Sequence, residues 1–394
     1  MSTGTSGDLL DDRNKHAQSV FKHEILRHYI KPFIAMPGST AADNRVVILD
    51  GFAGRGRYPD GEPASAELIL QAIRELQASR KVTGFFAEKE RVSFESLSRV
   101  VREYQAGGLD VLALPGNVEN HLDKVVAAAI GVPLFLFLDP CGAGLPFERL
   151  RTVLSGPRRE NRPQTEVLLN FSADLSRRTG GLLNKNSDAE AAWMDDACGG
   201  PWWRDIAMNA LRASEKGSFE PVVHAVAEEY ARRLAEVSGS FPIVVPVRRR
   251  LHHQPIYHLI FLTRSPYGLW VFADAVGKAR AIYLRHLGQL DDDEPEMLFT
   301  PADDMEWLIE REWNKAIEIV KGNIRNLLRA RKGQPFKLVQ EAKAVFGSSY
   351  GFATESVVVA ALQALVASRE AVIVDPGKRL RERVIGAASP LRAG

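Results

Sequence analysis

The chain has 394 residues, 45% hydrophobic and 25% charged, with a formal net charge of +2. That composition belongs to a globular protein and excludes a disordered or low-complexity one, and the length suits two or three domains rather than one core. No apolar run reaches the roughly 20 residues of a membrane span, and the cysteines Cys141 and Cys198 lack metal-ligand spacing, so a reducing, cytoplasmic setting without membrane or metal is expected.

Residues 1–14 read as a small, polar, disordered tail without a signal-peptide core. Residues 15–34 carry Val20, Ile25, Leu26 and Tyr29 at near-helical spacing, and Pro32 should end or kink that helix. The apolar run 45–50 is a buried parallel strand, and it leads into a turn with glycines at 51, 54 and 56. Ser65 then reads as the N-cap of a helix over 65–78.

Strands follow at 84–87, 111–114, 134–138 and 166–171, separated by helices at about 91–105, 119–129 and 146–155. Strand-then-helix repetition predicts a doubly wound parallel sheet. A helical insert with Trp193, Trp202 and Trp203 fills about 180–238. The runs 256–263 and 268–273 are too close for a crossover, so they are expected to pair as an antiparallel hairpin that closes the sheet.

This puts a Rossmann-like α/β domain at 15–287, an acidic linker at 288–304 and a second domain at 305–394. Residues 306–394 hold fifteen basic and nine acidic side chains, a net of +6. A long helix at 304–330, shorter ones at 336–346 and 354–368, and a hairpin around 371–379 predict a winged helix. Its Lys378 and Arg379 could contact a nucleic-acid backbone. The greasy run from Val357 to Leu362 suits packing or protein docking better than base reading.

Ligands of open α/β sheets bind at the carboxyl ends of the strands. The turn after Asp50 lacks the Gly-Lys-Ser/Thr ending of a phosphate loop. It also lacks the third glycine of a dinucleotide fingerprint, and the next strand-end acid, Glu88, lies 32 residues past Gly56. The remaining pattern, Asp-x-Phe-x-Gly-x-Gly, resembles the first motif of S-adenosylmethionine-dependent methyltransferases of Class I. A parallel sheet closed by a hairpin is their arrangement too.

Taken with Lys22, Tyr29, Arg57-Tyr58, Gly61-Glu62-Pro63, Gly116-Asn117, Asp139-Pro140, Gly142 and Asn170-Phe171, the turn is similar to the three-Cys-motif partner protein family over roughly 15–385. The chain departs from that family's pattern at Ala64-Ser65-Ala66 and at Cys141. The resemblance implies a methyltransferase-like protein that binds S-adenosylmethionine and works beside a radical-SAM-like three-cysteine protein. It implies cofactor contacts from Asp50, Gly51, Phe52, Ala53, Gly54 and Gly56, from Glu88 and Lys89 at the ribose, from Asn117 and Val118 at the adenine, and from Asp139. An ordinary helix N-cap is the alternative for Asn117.

Asp139 and Pro140 match half of the tetrapeptide with which amino-methyltransferases hold an exocyclic amine. Cys141 is either a nucleophile toward a pyrimidine ring or a small residue filling the slot. Arg57, Tyr58, Arg177 and Arg178 are candidates for an acceptor's phosphates. Arg248-Arg249-Arg250 with His252-His253 could do the same or form a solvated face. The activity expected is methylation of a nucleic acid or a nucleotide-derived molecule at nitrogen or oxygen. A small-molecule methyltransferase and a non-catalytic docking protein are the alternatives.

Overall fold

The computed structural model describes residues 17–140, 144–160, 164–172, 188–214, 219–251, 253–291 and 301–388. These fall into two compact units, one spanning Ile30–Arg264, the other Ala17–Tyr29 together with the residues from Ser265 onward. The division after Arg264 replaces the domain boundary expected at 287. None of the described helices is long and apolar enough to cross a membrane.

The first helix, α1 (Ala17–Gly38), does not end at Pro32 but runs through it and Pro37. An interior proline costs about 3 kcal/mol. Burial of Ile30, Phe33 and Ile34 around it offsets that, at roughly 1.5–3 kcal/mol for each side chain.

The N-terminal unit then alternates strand and helix as the sequence pattern requires. Its elements are β1 (Arg45–Asp50), α2 (Ser65–Leu76), β2 (Lys81–Glu88), α3 (Arg91–Ala106), β3 (Asp110–Pro115), α4 (Leu122–Ala128), β4 (Leu134–Leu138), α5 (Phe147–Leu154), α6 (Pro157–Glu160) and β5 (Thr165–Ser172). The described part of the helical insert holds α7 (Asp188–Cys198), α8 (Trp202–Ala213) and α9 (Glu220–Ser238). Two more strands, β6 (Phe241–Val247) and β7 (Tyr257–Thr263), complete a seven-stranded sheet of order β3-β2-β1-β4-β5-β7-β6.

The first five strands are parallel, and β7 runs antiparallel to both β5 and β6. The closing hairpin therefore exists, but β6 supplies the strand expected from 268–273. Alternate strand residues face opposite sides. Val47, Leu49, Leu136, Leu138 and Leu169 join one core with Leu122, Leu150, Tyr230 and Leu234. On the other side Phe33 meets Phe135, ring centroids 5.1 Å apart. Helices thus cover both faces, as a parallel sheet demands.

In the C-terminal unit the segment 268–273 lies inside a helix, α10 (Pro266–Asp291). It also makes helical the first residues of the linker expected at 288–304. The later elements are α11 (Pro301–Ala330), β8 (Phe336–Lys337), α12 (Ala342–Phe346), α13 (Glu355–Ala367), β9 (Ala371–Asp375) and β10 (Val384–Ala387). The strands form a sheet of order β8-β10-β9. The helix expected over 336–346 is shorter, because Phe336 and Lys337 pair with β10 and a 3₁₀ turn follows at Leu338–Glu341. Within this unit Trp270 packs edge-on against Phe346, and the Arg280 guanidinium forms a two-bond fork with Glu312 at 2.6 Å each.

Candidate functional site

The carboxyl ends of β1, β2, β4 and β5 bring Asp50, Glu88, Asp139 and Asn170 to one edge of the sheet. Register fixes this: Asp50 lies beside Phe86 and Phe137, and Leu138 beside Leu169. The strand order reverses between β1 and β4, which is where open α/β sheets take their ligands.

Asp50 is fully buried. One carboxylate oxygen accepts the Phe52 amide at 3.2 Å and the other the Ser65 hydroxyl at 2.9 Å. Ser65 is therefore not the helix cap expected from its position; Ala64 occupies the cap and makes no side-chain bond. Gly51 has no room for a side chain, since a Cβ would stand 2.7 Å from Leu138 and 3.0 Å from Val118. The tight contact seats the turn against β4 and puts Val118 in the packing.

Gly54 adopts φ 58° and a Cβ there would meet nothing within 4 Å, so the turn faces open space at that point. Its amide donates to Glu88 Oε2 at 2.9 Å, while the Glu90 amide donates to Glu88 Oε1 at 2.8 Å. The buried Glu88 carboxylate thus ties the glycine turn to the end of β2, and the exposed Lys89 follows it. Ala53 donates to the Ala87 carbonyl at 2.9 Å, which adds a backbone tie in the same place. Gly116 has the same open space beside it and φ 97°. Asn117 is exposed and occupies the N-cap of the 3₁₀ turn Val118–His121, where its side chain makes no cap bond.

Arg57 leaves the turn in another direction. Its guanidinium donates to both oxygens of Glu67, at 2.7 and 2.6 Å, and to Glu103 at 2.9 Å. The Tyr104 hydroxyl completes Glu67 at 3.2 Å. These carboxylates hold the Arg57 pKa above its usual value. Three N–H donations of Arg57, from Nε and one terminal nitrogen, thus go to scaffold carboxylates rather than to the phosphate contact expected of it. Tyr58 begins a tight turn, with its amide on the Glu62 carbonyl and the Gly61 amide on its own carbonyl.

At the end of β4 Asp139 is half-buried, and its Oδ1 accepts the Asn170 side-chain amide at 2.9 Å. Asn170 Oδ1 is buried without a hydrogen-bond partner. An orphaned acceptor of this kind costs about 1–3 kcal/mol and stands next to the candidate acid. Pro140 is buried. Cys141, Gly142, Arg177 and Arg178 lie outside the described residues. Lys378 and Arg379 are exposed between β9 and β10, in the C-terminal unit, and the glycine turn belongs to the other unit.

Sequence reading found the edge acids and the turn but missed Ser65 and Glu67 as their partners. Contacts 15 and 10 residues apart follow from the way α2 packs, and no local pattern encodes them.

The strand order and this edge define a Rossmann-like domain of the Class I methyltransferase type. No protein-family model and no curated protein matches the chain. Among solved structures, an O-methyltransferase family protein from Burkholderia thailandensis is 13% identical with a TM-score of 0.29, over 60% of this chain and 55% of that one. TYW2 from M. jannaschii, solved with AdoMet, is 8% identical with a TM-score of 0.30, over 65% and 78%. The methyltransferase domain of bacterial CtHen1 is 12% identical with a TM-score of 0.31, over 61% and 99%. The chain spans little more than half of the Burkholderia protein, and the fold assignment rests on the strand order itself.

Proposed function

We propose that the N-terminal unit binds S-adenosylmethionine and transfers its methyl group to a nitrogen or oxygen acceptor held beside Asp139. The observation that carries this reading is the cradle at the sheet edge. A left-handed glycine faces open space, and a buried carboxylate is fastened to its amide. When bound, the cofactor supplies an electrophilic methyl group on a sulfonium sulfur.

The residues present suit it. Each oxygen of Glu88 accepts one amide and keeps lone pairs for ribose hydroxyls. The space beside Gly54 and Gly116 admits a ligand close to the backbone. Asn117 would meet the adenine. Asp50, closed off from solvent, would hold the turn in shape rather than touch the ligand. Asp139 would orient the acceptor and take its proton, a task for a carboxylate within hydrogen-bond reach.

Gly54→Asn tests the cradle. Asparagine tolerates the left-handed region, so the variant should fold, yet its side chain occupies the ligand's space. Calorimetric titration of the wild type with S-adenosylmethionine and S-adenosylhomocysteine should give saturable binding, and NAD none. Gly54→Asn should weaken both by at least about tenfold, or 1.4 kcal/mol. A wild type that binds neither adenosyl ligand overturns the reading.

The family resemblance supports a finer proposal, that the chain works beside a radical-SAM-like three-cysteine protein. In that proposal the C-terminal unit is a winged helix made of α11–α13 and the β9–β10 hairpin. The exposed residues of α13 include Ser356, Gln363 and Val366 and no charged side chain. That favours docking to a protein over reading bases with this helix. Co-purification with the three-cysteine protein would support it, and its loss on Val366→Asp would locate the contact.

A further inference from the structure

Two tryptophans stand in the open on α11. Trp307 is 60% exposed and Trp313 38%, although an indole is among the side chains that gain most from burial. Helix phase explains where they point. The buried stripe of α11, Ala316, Val320, Ile324 and Leu328, recurs every four residues. Traced back, it runs through Glu312 and Leu308 and passes Trp307, Glu310 and Trp313 by. At about 100° and 1.5 Å per residue, Glu310 lies midway between the two tryptophans in angle and in rise.

Trp307 and Trp313 line one open cavity of about 490 Å³ together with Glu306, Ile309 and Glu310. That volume is in the range of ligand pockets. Its two carboxylates differ. Glu306 accepts from Arg285 with both oxygens, at 2.6 and 3.2 Å. Glu310 is exposed and, among the described residues, has no hydrogen-bond or ion-pair partner. The Arg311 guanidinium lies 4.7 Å from the centroid of the Trp307 ring and is not one of the residues lining the cavity. Trp307 thus already carries one cation outside the cavity. Within the stretch 304–313 Glu312 is closed by Arg280, so Arg311 stands against the exposed acids Asp304 and Glu310.

We propose that this face of α11 binds a trimethylammonium group, seated in the cavity against both indoles with Glu310 as its counter-ion. An aromatic ring attracts a cation through its quadrupole, tryptophan most strongly. A primary ammonium carries three N–H donors and strong hydration, and Glu310 is the one unengaged carboxylate in the lining. A trimethylated nitrogen keeps the charge without the donors, so it gives up little water on entering. Its methyl groups pack on the rings and on Ile309. The site lies in the C-terminal unit and stands whether or not the cradle binds its cofactor.

The test is a ligand-observed NMR titration of the full chain with choline and with a short peptide bearing one trimethyllysine. The controls are the same peptide with unmodified lysine and the carbon analogue of choline, whose neutral tert-butyl group has the same shape. The expected result is saturable binding of a methylated ligand, at least about fivefold tighter than its control. Trp307→Ala, Trp313→Ala and Glu310→Gln should each weaken it by about two- to fivefold, and the double tryptophan variant should lose it. All three side chains are at the surface, and unchanged thermal unfolding verifies that each variant is folded. Tight choline binding assigns the site to a small ligand or headgroup, and preference for the peptide assigns it to a methylated lysine of a partner; either supports the proposal.

Equal affinity for the tert-butyl analogue reduces the face to an apolar groove and overturns the proposal. Absence of binding to every methylated ligand overturns it too, as does binding that the double tryptophan variant leaves unchanged.

Discussion

Arg57 illustrates how a residue's partners redirect its chemistry. As a sequence feature it is a cation just past a glycine turn, well placed for a ligand's phosphate. In the fold its fork closes on Glu67, whose side chain is only 6% exposed. Such a carboxylate must be satisfied inside the protein, since an unmet buried acceptor costs about 1–3 kcal/mol. Lysine keeps the charge but not the fork. Arg57→Lys should therefore lower the denaturant midpoint by an amount equal to about 1–3 kcal/mol with an unchanged slope. A midpoint that does not move would mean that Glu67 finds water or Tyr104 sufficient. The same residue bears on binding indirectly, because it fixes the outgoing arm of the turn whose other arm Glu88 holds.

Among the elements, α10 tests which of two opposing effects wins. Gly277 sits inside the helix, where alanine is ordinarily better by about 1 kcal/mol. Here a Cβ would stand 2.6 Å from the Ala353 carbonyl oxygen, within the same unit. Overpacking of that kind costs about 1–3 kcal/mol, so Gly277→Ala should destabilise the protein against helix propensity, as thermal unfolding would register.

α10 also shows where sequence reading stopped short. Gly268–Ala273 reads as a strand from its aromatic and β-branched residues. The longer series Leu269, Trp270, Phe272, Ala273, Val276, Ala279, Tyr283, Leu284 and Leu287 is buried at helical spacing, and Pro266 opens the helix. The strand that closes the sheet was hidden for the opposite reason. β6 carries Pro242 and Pro246, which argue against a central strand; at the sheet's outer edge they cost little. The five parallel strands, whose apolar runs end in turns, were legible throughout, and so were Asp50, Glu88 and Asp139 at their ends.

The β6–β7 loop carries a pH signature. Arg248 holds the Glu220 carboxyl below its ordinary value of 4.5. A depressed folded-state pKa contributes stability that is complete above 4.5 and is lost as pH falls through the lower value. Glu220→Gln should therefore be less stable than the wild type at neutral pH. The gap should close on acidification below pH 4.5, a convergence that a chemical-denaturation series would record.

At the scale of the whole molecule, Asp50, Gly54, Glu88, Asn117, Asp139, Asn170 and the β6–β7 loop all belong to the unit Ile30–Arg264. A ligand that binds the folded state stabilises it by an amount set only by its concentration relative to its dissociation constant, about 2.7 kcal/mol at a hundredfold excess. If that free energy enters through the sheet edge, hydrogen exchange should register it unevenly. With S-adenosylmethionine at a hundredfold excess, the amides of β1, β2 and β4 that exchange only by unfolding of their unit should slow by up to about 100-fold. Those of the β8-β10-β9 sheet should exchange as before. Equal protection in both units would mean that they unfold as one cooperative body. Protection confined to the C-terminal unit would place the ligand outside the cradle and return the glycine turn to a purely structural role.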